Sequence, residues 1–126
     1  MLSEEQKRVV LEAVKKASEE WVSAFNSGDV EGCVAQYETD AVMNVKPFGQ
    51  FSGADQIRAF WQKLISDGFS DVEYIDPKIE VINATRAELK AKWKMNKAHG
   101  VIHRELWVLQ ADGTAKLRED NFEALS

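Results

Sequence analysis

Residues 53–97 read GADQIRAFWQKLISDGFSDVEYIDPKIEVINATRAELKAKWKMNK, and their hydrophobic period changes partway along. Up to Gly68, the apolar residues Ile57, Phe60, Trp61, Leu64 and Ile65 share one helical face, opened by Ser52 and Asp55 and closed by the glycine. Beyond Gly68 the period becomes alternating. Residues 69–83 read as strand, interrupted at Asp76-Pro77, where proline cannot donate to a ladder. Residues 87–97 set Leu89, Ala91, Trp93 and Met95 against Lys90, Lys92 and Lys94, a strand with one face buried and the other wet.

Working outward toward the N-terminus, Val9, Ala13, Ala17, Trp21 and Phe25 recur at i+4 with Val10, Val14 and Ala24 beside them, which predicts a helix. Ser3 and Gln6 form a capping-box pattern at its start, and Gly28 suits its end. Asp29 can cap a short second helix in which Val30, Cys33, Val34 and Tyr37 fall on one face. Residues 41–46 are short and β-branched, hence strand, and 47–53 read as loop. Toward the C-terminus, residues 101–110 are apolar on both faces. Asp112-Gly113 marks a hairpin, and 114–124 form the last strand. Three helices followed by a curved antiparallel sheet is an α+β order, read as one domain over residues 1–126.

The chain has 126 residues and a formal charge of −5. One cysteine, Cys33, excludes an intramolecular disulfide, and with only two histidines no structural zinc set can be built, so no metal is expected. Cys33 reads as a small core filler, and His99 beside Gly100 as a solvated loop residue. No apolar run approaches a membrane span, and Met1 to Arg8 is too charged for a signal peptide, so a cytoplasmic location without membrane contact is expected. Net acidity argues against nucleic acid, and the lysines at 90, 92, 94 and 97 read as a solvated strand face, or as protection against edge pairing, rather than as a phosphate-binding stripe. Asn83-Ala84-Thr85 matches a glycosylation sequon, discarded for want of a secretion signal. Four tryptophans, at 21, 61, 93 and 107, are the unusual feature of the composition.

The stretches Trp21 to Asp29, Tyr37 to Asp40 and Phe51 to Trp61, with the closing hairpin at Asp112-Gly113, resemble NTF2-like proteins, and more narrowly their SnoaL-like and ketosteroid-isomerase-like branch. The resemblance implies a cone: three N-terminal helices close one side of a curved antiparallel sheet around an apolar pocket, usually in a homodimer. It specifies fold rather than chemistry, since the superfamily includes isomerases, cyclases, dehydratases, carriers and dimerisation domains. The isomerase base aspartate lies on the first strand before a proline, where this chain has Val45 or Lys46. The isomerase tyrosines of the first and third helices correspond to Trp21 and Trp61, and only the second oxyanion acid has a carboxyl counterpart, Glu105. Steroid-type isomerisation is therefore not expected.

Independently of the resemblance, a two-residue Asp112-Gly113 turn would place Trp107 opposite Arg118, Glu105 opposite Asp120 and His103 opposite Phe122. One face would then carry His103, Glu105, Trp107, Arg118, Asp120 and Phe122 into the pocket. The other would carry Ile102, Leu106, Val108, Ala115 and Leu117 to a dimer interface. A three-residue turn would shift this register by one and flip one strand's faces. Two carboxylates with a histidine and an arginine on an apolar wall can abstract a proton from a carbon acid, because environment separates their pKa values. SnoaL-like cyclases are similar, with an aspartate on the last strand and a histidine on the strand before. The expected catalytic set is Asp120 as base, His103 as acid or orienter, and Glu105 and Arg118 tuning them. The alternative is an ordinary cross-strand ion-pair cluster with a structural histidine.

Trp21, Tyr37, Trp61, Trp93, Trp107 and Phe122 are the expected ligand-binding wall, though their spacing also fits core packing. The leading expectation is binding of a small apolar or aromatic carbonyl-type molecule, with cofactor-free acid–base transformation as the chemistry open to it. The rival is a non-catalytic dimerisation or interaction domain, which the missing isomerase base favours and the carboxylate–histidine set does not.

Overall fold

Helix α1 (Glu4–Asn26) starts at a reciprocal cap: Ser3 Oγ accepts from Gln6 N at 3.0 Å and Gln6 Oε1 accepts from Ser3 N at 2.9 Å. Glu4 and Glu5 in the first turn complement the helix dipole. Its buried line runs Val10, Val14, Ala17, Trp21, Phe25, while Val9 is 44% exposed. A strict i+4 row drifts about 40° per step around a 3.6-residue helix, so the buried stripe must mix three- and four-residue steps. The computed structural model describes residues 2–125. Helix α2 (Val30–Val34) is capped by Asp29, whose Oδ1 accepts from Gly32 N at 2.9 Å. Tyr37, expected on this helix, instead begins strand β1 (Tyr37–Lys46). The stretch expected as loop contains a short strand, β2 (Gly49–Ser52), which pairs back on β1 before α3 (Gly53–Ser66). No helix among the described residues is long and apolar enough to cross a membrane.

Strands β3 (Glu73–Asn83), β4 (Arg86–Lys94), β5 (His99–Leu109) and β6 (Ala115–Ala124) complete a curved, unclosed six-stranded sheet in the order β2-β1-β6-β5-β4-β3. Every pairing is antiparallel except β1 with β6, which is parallel, so the sheet is mixed rather than wholly antiparallel as expected. The helices lie on one side: α1 packs on β3, β4, β5 and β6, and α3 on β1 and β2. Curvature comes from bulges, each an extra residue that bends its strand. One falls at Asp76-Pro77, where Asp76 adopts φ +52 and the pairing of β3 with β4 shifts. Trp93 and Gly100 are cross-strand partners. A Cβ at Gly100 would stand 1.9 Å from the Glu123 carbonyl oxygen and 2.6 Å from Trp93 Cζ2, so the indole lies on bare backbone.

The last hairpin differs from the expected register in an instructive way. Its turn is a three-residue loop, Ala111 to Gly113, closed by Gln110 N donating to Thr114 O at 2.7 Å, with Gly113 at φ +88. Leu109 therefore faces Ala115, and Trp107 faces Leu117 rather than Arg118. The next step contains an extra residue in β6, Arg118, after which Leu106 faces Glu119 and Glu105 faces Asp120. A second extra residue, His103 in β5, then brings Ile102 opposite Phe122.

Candidate active site

The side chains that converge inside the cone come from seven elements. Trp21 enters from α1, Trp61 from α3, Tyr37 from β1, Tyr74 from β3, Trp93 from β4, and Glu105, Asp120 and Phe122 from the β5–β6 hairpin. Their rings interlock. Trp21 meets Trp61 edge-on with centroids 4.9 Å apart, Trp61 stacks on Phe122 at 5.8 Å, and Trp93 meets Phe122 edge-on at 6.2 Å. The space left between them is about 20 Å³, room for about one water-sized group. Outside it, and sharing Trp93, Met95 and Phe122 as a common wall, lies an open groove of about 770 Å³.

Two carboxyl groups lie on the floor of this space. Glu105 and Asp120 are direct cross-strand partners, each 3% exposed. Asp120 Oδ2 accepts the Tyr37 hydroxyl at 2.6 Å, and Tyr37 Oη in turn accepts from Trp61 Nε1 at 3.2 Å. Glu105 is held separately, accepting Trp107 Nε1 at 2.9 Å and the Tyr74 hydroxyl at 3.1 Å. Asp120 Oδ1 has no protein partner. Among the described residues, the other buried side-chain polar atoms in that condition are Trp21 Nε1 and Trp93 Nε1, on two indoles that line the same space. A buried unpaired polar atom costs about 1–3 kcal/mol, so three of them on one cavity are unusual for a packed core.

Burial dominates the electrostatics. It pushes the Glu105 carboxyl up to about 8, aided by the Asp120 charge and opposed by the bonds from Trp107 and Tyr74. It pushes Asp120 up to about 6, opposed by the Tyr37 bond. The two carboxyls titrate as a coupled pair, so near neutral pH they share one negative charge between them. Burial and the neighbouring carboxylates hold both tyrosine hydroxyls well above their ordinary range, so they stay protonated donors. Cys33 is buried, its thiol pushed up to about 12 chiefly by desolvation, and stays an unreactive core group.

Of the expected catalytic set, Glu105 and Asp120 meet, and His103 and Arg118 do not join them. His103 is exposed on the outside, its Nε2 2.8 Å from Glu123 Oε1. Arg118 is partly exposed, and its Nε donates to Glu38 Oε1 at 2.8 Å, which holds Glu38 below its usual range. Both are the extra residues of the two bulges, which turns their side chains away from the pair. Trp21, Tyr37, Trp61, Trp93 and Phe122 line the inner space as expected, whereas Trp107 does not line it and sits behind Glu105 as its hydrogen-bond donor. Tyr74 was missed. Its signal was its pairing with Trp93 across β3–β4, which puts it on the same inward face.

The residues expected to form an outer apolar face are also redistributed. Ile102 and Leu117 line the inner space, and Ala115 belongs to the core. Leu106 and Val108 are 5% and 8% exposed within the chain itself. The outer side carries ion pairs instead, with Arg104 bonded to both Glu88 and Glu119. Among the described residues, no group of three or more His, Cys, Asp and Glu is arranged to hold a metal ion.

The SnoaL-like domain family matches residues 18–76, the segment that supplies Trp21, Tyr37, Trp61 and Tyr74. A comparison with curated proteins returns no match. Among solved structures, a ketosteroid isomerase-like protein from Erwinia carotovora atroseptica SCRI1043 is 17% identical at TM-score 0.78, covering 92% of this chain and 96% of its own. A type 2 hexachlorocyclohexane dehydrochlorinase (LinA) is 10% identical at TM-score 0.79, covering 98% and 90%. An NTF-2 like protein of unknown function from Shewanella oneidensis MR-1 is 15% identical at TM-score 0.74, covering 90% and 98%. At these identities the structures share a fold and nothing finer. The chain thus shares the NTF2-like fold of these structures, and its residues 18–76 are similar to the SnoaL-like domain family.

Proposed function

We propose that the chain binds a small apolar carbonyl-type molecule and catalyses a cofactor-free proton transfer on it, with Asp120 as general base and Glu105 as the protonated partner. The observation that carries this reading is the unpartnered Asp120 Oδ1, buried on the wall of an otherwise largely apolar cavity beside a second buried carboxyl, Glu105, whose affinity for a proton is raised. A carboxylate raised to about 6 is ionised at neutral pH yet more basic than a solvated one, as a general base requires. Tyr37 fixes its orientation through Oδ2 and leaves Oδ1 for the substrate proton. The indole N–H groups of Trp21 and Trp93, which have no acceptor in the protein, are the donors available to a developing oxyanion. Two fold neighbours support the class of chemistry, one ketosteroid isomerase-like and one a dehydrochlorinase. The assignment replaces the histidine of the sequence expectation with a second carboxyl.

Deuterium exchange at the α-carbon of 2-tetralone, a flat apolar ketone, tests the reading. The wild-type chain accelerates exchange over buffer, and Asp120→Asn loses about 10²-fold or more of that acceleration. Equal exchange by wild type and Asp120→Asn overturns the assignment. If a panel of apolar ketones and phenols neither quenches tryptophan fluorescence nor raises the melting temperature, the interaction-domain reading takes its place. Self-association remains part of the proposal, through a surface other than one built on Ile102 and Leu117, which face inward.

A further inference from the structure

The inner cavity and the outer groove differ in size so much that they constrain what can reach Asp120. About 20 Å³ admits one small group, whereas about 770 Å³ lies within the range of sites for drug-sized ligands. The groove is bounded by α3, the β1–β2 turn, the β4–β5 connection and the end of β6, and its wall is rich in aromatic faces: Phe48, Phe51, Phe60, Phe69, Trp93 and Phe122. Its charged lining residues are Lys63, Lys97 and Asp67, gathered together. Lys63 Nζ lies 3.2 Å from Asp67 Oδ2. Lys97 Nζ donates to the Asp67 backbone oxygen at 2.7 Å and stands 5.4 Å over the Phe69 ring. Lys63 meets the Asp67 carboxylate whereas Lys97 meets only its backbone oxygen, so two ammonium groups stand beside one carboxylate and leave a local positive charge in a chain whose net charge is −5.

We propose that the groove holds a flat aromatic or multi-ring molecule bearing one acidic group. Its ring body lies on the phenylalanines, its acidic group meets Lys63 and Lys97, and its narrow, oxygen-bearing end lies at the Trp93–Phe122 wall shared with the Asp120 cavity. Aromatic walls favour flat ligands over alkyl chains, because rings stack with large contact area and little conformational cost. The lysine cluster favours an anion over a neutral ligand by charge complementarity. Only the last contact rests on the acid–base reading, since the ring body and the acidic group are recognised away from the carboxyl pair.

Calorimetric titration with 8-anilinonaphthalene-1-sulfonate and with its uncharged counterpart N-phenyl-1-naphthylamine tests the assignment. The double variant Lys63→Ala/Lys97→Ala weakens the sulfonate roughly tenfold and leaves the neutral dye within about twofold. Ala59→Trp, an exposed α3 position on the groove wall, removes binding of both dyes while the far-UV spectrum stays that of wild type. Asp120→Asn changes neither dye, so a failed exchange experiment with normal dye binding strikes the acid–base reading alone. Equal weakening of both dyes by the lysine variant, or full binding by Ala59→Trp, overturns the groove assignment. So does dye binding that falls as protein concentration rises while sedimentation shows a dimer, because a second copy would then be the groove's occupant.

Discussion

Tyr37 joins the carboxyl pair to the aromatic wall. Its hydroxyl donates to Asp120 Oδ2, accepts from Trp61 Nε1 and lies 3.8 Å from Met43 Sδ. The bond to Asp120 is the one contact that opposes the burial-driven rise of that carboxyl. In Tyr37→Phe both Asp120 oxygens lack a donor, so the Asp120 carboxyl rises further and the acidic limb of any Asp120-dependent rate moves to higher pH. The loss of a buried partner costs about 1–3 kcal/mol of stability, measured by urea unfolding at pH 7. Trp61→Phe leaves the Tyr37–Asp120 bond in place, so its pH profile shifts less although it loses core volume. A profile unchanged in Tyr37→Phe would remove Tyr37 from the site. The same logic separates Trp107, expected as a wall residue, from the wall: its N–H acts through Glu105, and no part of it lines the cavity.

At the scale of the element, the β5–β6 hairpin shows which parts of the site could be read from sequence and which could not. The pairing of Glu105 with Asp120 was legible, but only because two one-residue departures cancel. The turn is one residue longer than the two-residue type, and the bulge at Arg118 takes that residue back before Glu105 is reached. The helices were legible because their caps and glycine stops are local chemistry: Ser3 with Gln6, and Asp29 with Gly32 N. A bulge at an arginine or a histidine has no such signature, since the ladder on either side decides it, and the two residues displaced were two of the four in the expected catalytic set. His103→Ala and Arg118→Ala are therefore expected to leave ketone exchange unchanged. Both side chains are substantially exposed, so their contacts with Glu123 and Glu38 contribute at most about 1 kcal/mol each. Loss of exchange in either variant would return these residues to the site. Gly100→Ala is expected to behave oppositely although it is remote from the carboxyls. Its methyl group would collide with the Glu123 backbone oxygen and the Trp93 indole. Rigid backbone cannot yield as a flexible side chain does, and overpacking of this kind costs about 1–3 kcal/mol or more. The midpoint of urea unfolding reads that loss, and an unchanged midpoint would mean that β5 and β6 can separate there at no cost.

Charge is sorted by side: the outer face of the sheet carries paired ions, and the inner cavity is lined by apolar and aromatic residues except for Glu105 and Asp120. That sorting fixes how stability depends on pH. Glu105 and Asp120 have folded-state pKa values raised above those of the unfolded chain, so they favour folding when protonated. Their contribution is complete below the ordinary carboxyl range and is lost as pH rises through about 6 for Asp120 and about 8 for Glu105. Between those limits one raised group costs about 1.4 kcal/mol per pH unit. Glu38 has the opposite sign: its carboxyl is lowered by Arg118, so its contribution is present above the unfolded value and lost as pH falls through the folded one. The wild-type melting temperature should therefore peak on the mildly acidic side and decline from about pH 5 to 8. Glu105→Gln removes the group that must be charged at the alkaline end, so its curve should flatten between pH 6 and 9, whatever its stability at pH 5. A ligand that presents a donor to Asp120 Oδ1 should flatten the wild-type curve in the same interval, because it stabilises the ionised pair. Parallel alkaline declines in wild type and Glu105→Gln would show that the pair does not share a proton, and would remove the electrostatic basis for Asp120 as a base at neutral pH.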